Sequence, residues 1–301
     1  MNYETAIKGT ALQKEYVNFK LDIPSFEIPK GFATALIGEN GAGKTTLLNM
    51  LAGIRLDFRG DLIFFDKYTN DEKEKDPAVK NRIGYTGPGK YFLPTWTVGD
   101  IEDISQMIFD NFDKNRFREL CHELALFGDH DFDPKKKNTD LSDGTKMKLM
   151  LAAVLARDTD LLILDEPASP LDPLMRDVLC SRISDYISSG DGEHTVFFST
   201  HNIADMESIT DYAIIMEHGC LVEQGFVEEL KEKYVLVKGD ATDTEAAKKI
   251  LYSITANPYG FEGICLAGDL DKLAGMKVTK ETPSLYQISV AVMKKNTRMV
   301  I

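Results

Sequence analysis

The sequence predicts an α/β fold built on a mixed, mainly parallel sheet with flanking helices, and three observations carry that reading. An apolar stretch, Phe32 to Ile37, runs through a glycine-rich turn into residues with helical spacing. Leu161, Leu162, Ile163 and Leu164 form a continuously apolar run, as a strand buried on both faces does, and two acids follow it. A third apolar stretch ends in Ser199-Thr200-His201. Each time, chemistry-bearing residues emerge after a strand, at the edge where open α/β sheets bind ligands.

The chain has 301 residues, enough for one large domain or two modest ones, and a formal net charge of −13. Such a surface on average repels nucleic-acid backbones and anionic lipid. The basic run Lys135-Lys136-Lys137 reads as a solvated loop. Cys121, Cys180, Cys220 and Cys265 are far apart and form no CxxC pair, which points away from a zinc site or a disulfide framework and toward a reducing cytosol. No apolar run approaches the ~18 residues of a spanning helix, and the N-terminus lacks a signal-like apolar core. Work at a membrane would need another chain as anchor.

The turn after the first strand is Gly38-x-x-x-x-Gly43-Lys44-Thr45, the GxxxxGK[ST] phosphate loop in its strand-to-helix context. Gly38, Gly41 and Gly43 let the backbone curl so that successive N–H groups point at phosphate oxygens, at the positive end of the following helix. Lys44 is placed to reach terminal phosphates and the Thr45 hydroxyl to ligate Mg²⁺. Leu47, Leu48 and Leu51 then recur at helical spacing until Gly53 offers a stop. After the second apolar run, Asp165 is placed to hold Mg²⁺ and Glu166 to orient or deprotonate an attacking water, although an Asp-Glu pair can equally cap a helix. Thr97-x-x-Asp100 reads as a capping box, and Asp172 with Pro173 as a helix N-cap and first helical position.

Taken in order, the phosphate loop, the Leu141-Ser142-Asp143-Gly144-Thr145 turn, the strand ending in Asp165-Glu166-Pro167, then Ser169-Pro170-Leu171-Asp172 and Ser199-Thr200-His201 resemble the ATP-binding subunit of ABC transporters, over residues 3 to 230. The resemblance implies a P-loop NTPase core with an antiparallel β subdomain and a helical subdomain at about 97–140, together forming a cassette over 1–230. It implies that Tyr16 stacks on adenine, with Phe19 close enough to compete for that role. Gly38, Asn40, Gly41, Ala42, Gly43, Lys44, Thr45 and Thr46 match the phosphate loop, Asp165 the Mg²⁺ acid and Glu166 the catalytic carboxylate. His201 matches the histidine that contacts the γ-phosphate, and Asp172 an aspartate that communicates across a dimer. Ser142 and Gly144 match the signature turn, which clasps ATP held by the phosphate loop of a second, facing cassette. ATP and Mg²⁺ are therefore the implied cofactors. The implied partners are integral membrane permease subunits and a second cassette, identical or related, which would hold the chain on the cytoplasmic face of the plasma membrane.

Two departures stand out. Asp143 and Thr145 replace the family's Gly and Gln, and a carboxylate near the partner's triphosphate would weaken that site unless it points to solvent, the orientation expected. No glutamine lies near Pro88 in "YTGPGKYF", where the family has a Mg²⁺-reaching side chain, so a water or a main-chain carbonyl would have to replace it. That region and the Leu-Ser-x-Gly-x-Lys pattern resemble the subfamily serving exporters of antibiotics, peptides or lipids. Two alternatives stay open: a module that binds ATP without hydrolysing it, and a non-transport ATPase of the same family acting on DNA or the ribosome. The single cassette, the absence of sustained heptads and the acidity argue against the latter. Beyond residue 230 a small accessory α+β domain, 231–301, is expected, with a strand over 235–239 and an amphipathic helix over 243–254 presenting Ala246, Ala247, Ile250 and Leu251. The pattern of 282–295 fits strand and helix equally.

Overall fold

A computed structural model describes residues 3–87, 92–128 and 130–300, the side chains of 296–300 excepted. The chain opens with an antiparallel hairpin, β1 (Thr5–Tyr16) and β2 (Phe19–Pro29), then enters β3 (Ala33–Ile37) and, past the glycine-rich turn, α1 (Lys44–Leu51). β4 (Arg59–Phe64) and β5 (Tyr68–Thr69) complete an antiparallel sheet in the order β2-β1-β4-β5. Short helices α2 (Asn70–Lys75) and α3 (Pro77–Asn81) lead to β6 (Ile83–Thr86). A helical region follows, α4 (Val98–Ile108), α5 (Lys114–Glu123) and α6 (Asp143–Leu155), with α6 packed on α5. Thr97 and Asp100 exchange side-chain-to-amide bonds of 2.8 and 3.1 Å at the start of α4, which satisfies two N–H groups that the helix cannot.

The chain then alternates through β7 (Leu161–Asp165), α7 (Pro173–Ser189), β8 (Thr195–Thr200), β9 (Tyr212–Glu217) and β10 (Cys220–Phe226). These strands join β3 and β6 in the order β10-β9-β3-β8-β7-β6, parallel except for β10. β3, β7, β8 and β9 are buried along their whole length, which is why their sequences are mainly apolar rather than alternating, with polar residues gathered chiefly at the ends of β7, β8 and β9. β8 lies between β3 and β7, and its register pairs Thr200 with Ile37 and Ser199 with Asp165. The carboxyl ends of the three strands therefore finish at one height.

The two sheets touch through main chain. Asp22 donates its amide to the Gly219 carbonyl at 2.8 Å, and Gly219 donates its own to the Ala42 carbonyl at 2.9 Å. Gly219 has φ +81°, and a Cβ there would overlap the Lys20 carbonyl oxygen, so only glycine fits the β9–β10 turn.

After α8 (Val227–Lys233) a third, antiparallel sheet forms from β11 (Tyr234–Asp240), β12 (Ser253–Asn257), β13 (Gly260–Leu266) and β14 (Val278–Glu281) in the order β12-β13-β11-β14. The helix expected over 243–254 is cut to α9 (Thr244–Ala247). Ladder pairing wins over helical spacing here: Tyr252 donates to the Ile264 carbonyl at 2.7 Å and Ser253 and Ile254 pair with β13, while Ala247 and Leu251 still reach a small core with Val237, Phe261 and Leu273. The ambiguous segment is a helix, α10 (Leu285–Val300). Its buried Leu285, Ile288, Ala291 and Val292, at helical spacing, leave the third sheet's small core and join that of the six-stranded sheet. Among the described residues no helix is long and apolar enough to cross a membrane.

Gly219→Ala is expected to lower the unfolding free energy by about 2 kcal/mol. Urea denaturation followed by circular dichroism measures it.

Candidate functional site

The strand ends build the site. β3 leads through Gly38, and the Gly38 amide donates to the Thr200 carbonyl at 3.3 Å, fastening the loop to β8. Ala42, itself buried, donates to the Glu39 carbonyl at 3.1 Å and closes the turn. Asn40 and Gly41 form the exposed crest. Gly43, with φ +107°, sets the left-handed bend that starts α1, and its missing Cβ leaves room for the Phe19 ring, whose Cζ would otherwise be 2.7 Å away. The first-turn N–H groups of α1, which no helix bonds internally, follow at Lys44, Thr45 and Thr46.

Lys44 is buried, and its ammonium donates to the Gly38 carbonyl at 2.8 Å and the Glu39 carbonyl at 3.3 Å. It also lies 3.3 Å from Glu166 Oε1. Glu166 Oε2 accepts from His201 Nδ1 at 2.7 Å, so one carboxylate joins the phosphate-loop lysine to the histidine after β8. Glu166 has φ +51°, a backbone conformation that costs a non-glycine residue on the order of 1–3 kcal/mol. That bend turns the chain off β7.

Ser199 holds the two acids in place. Its hydroxyl donates to Asp165 Oδ1 and accepts the Glu166 amide at 3.0 Å. Sequence reasoning quoted Ser199 without giving it a role; the signal was its register position opposite Asp165. Burial pushes the Asp165 carboxyl above its usual range, while the hydroxyls of Ser199 and Thr45 pull it down. Asp165 Oδ2 is buried without a hydrogen-bond partner, and the Thr45 hydroxyl is close enough to act on the same carboxyl. An orphaned carboxylate oxygen next to a hydroxyl fits a hard divalent cation such as Mg²⁺, which needs only one or two protein oxygens when phosphates supply the rest.

A cavity of about 930 Å³ opens over these groups, within the range of nucleotide-sized sites. Phosphate-loop residues, Glu166 and His201 line it together with Asp143, Lys146, Met147 and Met150 of α6 and with Phe19, Phe92 and Pro94. Tyr16 does not line the cavity. Its ring is 40% exposed, 6.1 Å from Phe19, with the Arg55 guanidinium 5.5 Å from its centroid.

On the α6 side, Ser142 caps the helix, accepting the Thr145 amide at 3.2 Å. Gly144 approaches the loop after Glu166 so closely that a Cβ would lie 2.8 Å from the Pro170 carbonyl oxygen. The Asp143 side chain is 93% exposed and 3.3 Å from the Lys146 ammonium. Asp172 caps α7, accepting the Met175 amide at 3.1 Å. Gly87 passes against Asp165, with its hypothetical Cβ 3.4 Å from the Asp165 Cβ. Pro88 lies outside the described residues.

Comparison with known proteins agrees with the fold. Residues 21–169 match the family model described as "ABC transporter". An ABC transporter ATP-binding protein of Nostoc sp. is 30% identical over 84% of this chain and 75% of its own length. The bacitracin transport ATP-binding protein BcrA of Enterococcus faecalis is 30% identical over 84% of this chain and 80% of its own. The dimeric structure of a bacterial ABC transporter cassette superposes with a TM-score of 0.62 at 19% identity, covering 73% of this chain and 98% of that one.

Ser199→Ala strips a buried carboxylate oxygen and a main-chain amide of their shared partner. It is expected to cost about 1–3 kcal/mol of stability in urea denaturation.

Proposed function

The chain belongs to the family of ABC transporter ATP-binding proteins, and on that premise we propose that it is the ATP-hydrolysing subunit of an exporter. In this reading it binds MgATP between two cassettes and drives separately encoded membrane subunits. The observation that carries the proposal is the Lys44, Glu166 and His201 constellation, joined through one carboxylate in the lining of a nucleotide-sized cavity.

Each group has a task that its chemistry allows. The phosphate-loop amides and the α1 N-terminus hold the β- and γ-phosphates, and Lys44 exchanges its carbonyl and carboxylate partners for phosphate oxygens. That exchange releases Glu166 from the lysine. The freed carboxylate orients the attacking water and takes up its proton, while His201, still within reach of Glu166, contacts the γ-phosphate and fixes the water's direction. Asp165 Oδ2 and Thr45 would hold Mg²⁺, which supplies charge neutralisation on the transferred phosphoryl oxygens when bound. Phe19 offers the apolar ring nearest the phosphate loop and is assigned the larger share of base stacking, with Tyr16 behind it.

The second cassette would enter through the α6 wall. Ser142 and Gly144 present a hydroxyl and a close-approach backbone at a helix N-terminus, a donor arrangement suited to an anion. The Asp143 carboxylate is solvent-exposed, lines the cavity and lies beside Lys146, whose charge reduces the repulsion it would exert on a facing triphosphate. Transport is supported by the likeness to the bacitracin transport protein, and export by the residues of the signature turn. The membrane subunits would place the chain on the cytoplasmic face of the plasma membrane.

The test is phosphate release from the purified chain. Glu166→Gln is expected to lose about 10²-fold or more in kcat while keeping ATP affinity, and light scattering should show it dimerising on addition of ATP and Mg²⁺. Unchanged release from Glu166→Gln would sink the assignment. In a fluorescent-nucleotide titration, Phe19→Ala should weaken binding about tenfold and Tyr16→Ala less than about threefold.

A further inference from the structure

The segment that follows His201 is held by the last helix of the chain. Residues Ile203–Asp205 and Glu207–Ile209 form two successive 3₁₀ turns between β8 and β9. In such turns residues three apart project from the same side, so Ile203 and Met206 share a face; both are buried, and they belong to the core that contains Leu285, Ile288, Ala291 and Val292 of α10. α10 packs directly on the first of these turns. The Glu207 carboxylate then reaches the start of α10, accepting the Leu285 amide at 2.8 Å and the Tyr286 amide at 3.3 Å. Ser284 and Gln287 form their own capping box on the same helix, at 3.0 and 3.2 Å. Glu207 thus takes the two N–H groups that the box leaves open.

The segment is gripped from a second side. Arg176 of α7 donates to Asp205 Oδ1 at 2.6 Å and to the Leu171 carbonyl at 3.0 Å, beside the Asp172 cap. Between His201 and β9, the chain is therefore pinned at Ile203, Asp205, Met206 and Glu207, and three of these four pins are made with the helix that follows the third sheet.

We propose that the C-terminal region is a positioning device for His201: α10, through Glu207 and the Ile203–Met206 face, fixes the 203–207 segment and with it the histidine's approach to Glu166 and the γ-phosphate. Glu207 is a positioning residue that acts through the backbone and touches no reacting atom. A partner or modification that displaced α10 would slow hydrolysis without touching the nucleotide. The effect on turnover rests on the ATPase reading above, whereas the mechanical coupling does not.

Two measurements on the full chain separate these. Hydrogen exchange followed by mass spectrometry reads the 201–209 segment in Glu207→Ala, where exchange should speed about tenfold. Steady-state kinetics should show kcat about fivefold lower with KM for ATP within about twofold, and Glu207→Gln, which keeps one acceptor oxygen, should recover part of both effects. Phe261→Ala, which loosens the separate core of the third sheet, serves as the control and should leave 201–209 protected. Unchanged exchange in Glu207→Ala, or equal deprotection by Phe261→Ala, overturns the proposal. Faster exchange with unaltered kcat overturns the positioning role. If the wild-type chain releases no phosphate, the ATPase reading fails, and the exchange data alone then decide whether α10 clamps the segment.

Discussion

The Ser199 hydroxyl donates to Asp165 and accepts the Glu166 amide, and this pair of bonds joins β7 to β8 at the level where both strands end. The remaining geometry hangs on that level. A slip of one residue between these strands would flip the Ser199 side chain to the opposite face of the sheet and leave two buried polar groups unpaired. Parallel strands buried on both faces carry few signals that fix their register, so a polar tie at the strand end does the work that alternation does in a half-exposed sheet. On its other side β8 pairs with β3, and that register brings Thr200 beside Ile37 and fastens the phosphate loop.

Glu166 sits at the centre of a short chain of charge. It has a lysine on one oxygen and a histidine on the other, and its backbone is bent into the left-handed region. A residue held by three independent constraints has a defined direction without substrate, and preorganisation of this kind removes part of the entropic cost of reaching the reactive geometry. In the proposed mechanism Lys44 serves both the carboxylate and the incoming phosphates, so loading of the cavity and release of the base would be one event.

Much of this was legible in the chain. The phosphate loop and the acids after Leu164 each follow a mainly apolar run, the histidine follows one two residues further on, and the local chemistry of Thr97 with Asp100 and of Asp172 with Pro173 marks helix starts that need no distant partner. What stayed hidden depends on pairing between distant segments. Ser199 gains its role only from the β7–β8 register. Phe19 rather than Tyr16 reaches the cavity because Gly43 leaves it space. Residues 243–254 have helical spacing, yet the β13 ladder claims them from Tyr252 onward. The capping of α10 by Glu207 joins residues 78 positions apart, beyond the reach of any local pattern.

The glycine contact between the β9–β10 turn and β2 bears on which nucleotide the cavity accepts. With main chain fastened to main chain at Gly219, and Gly219 in turn fastened to Ala42, the first sheet has no freedom to slide along the phosphate loop. Phe19, at the start of β2, is therefore held at a fixed height beside the phosphate loop. A ring fixed in this way gauges the length from triphosphate to base but stacks on any purine equally well. In the proposed reading, a stacking ring alone would not tell adenine from guanine at this wall, so a preference for ATP would have to come from contacts other than Phe19.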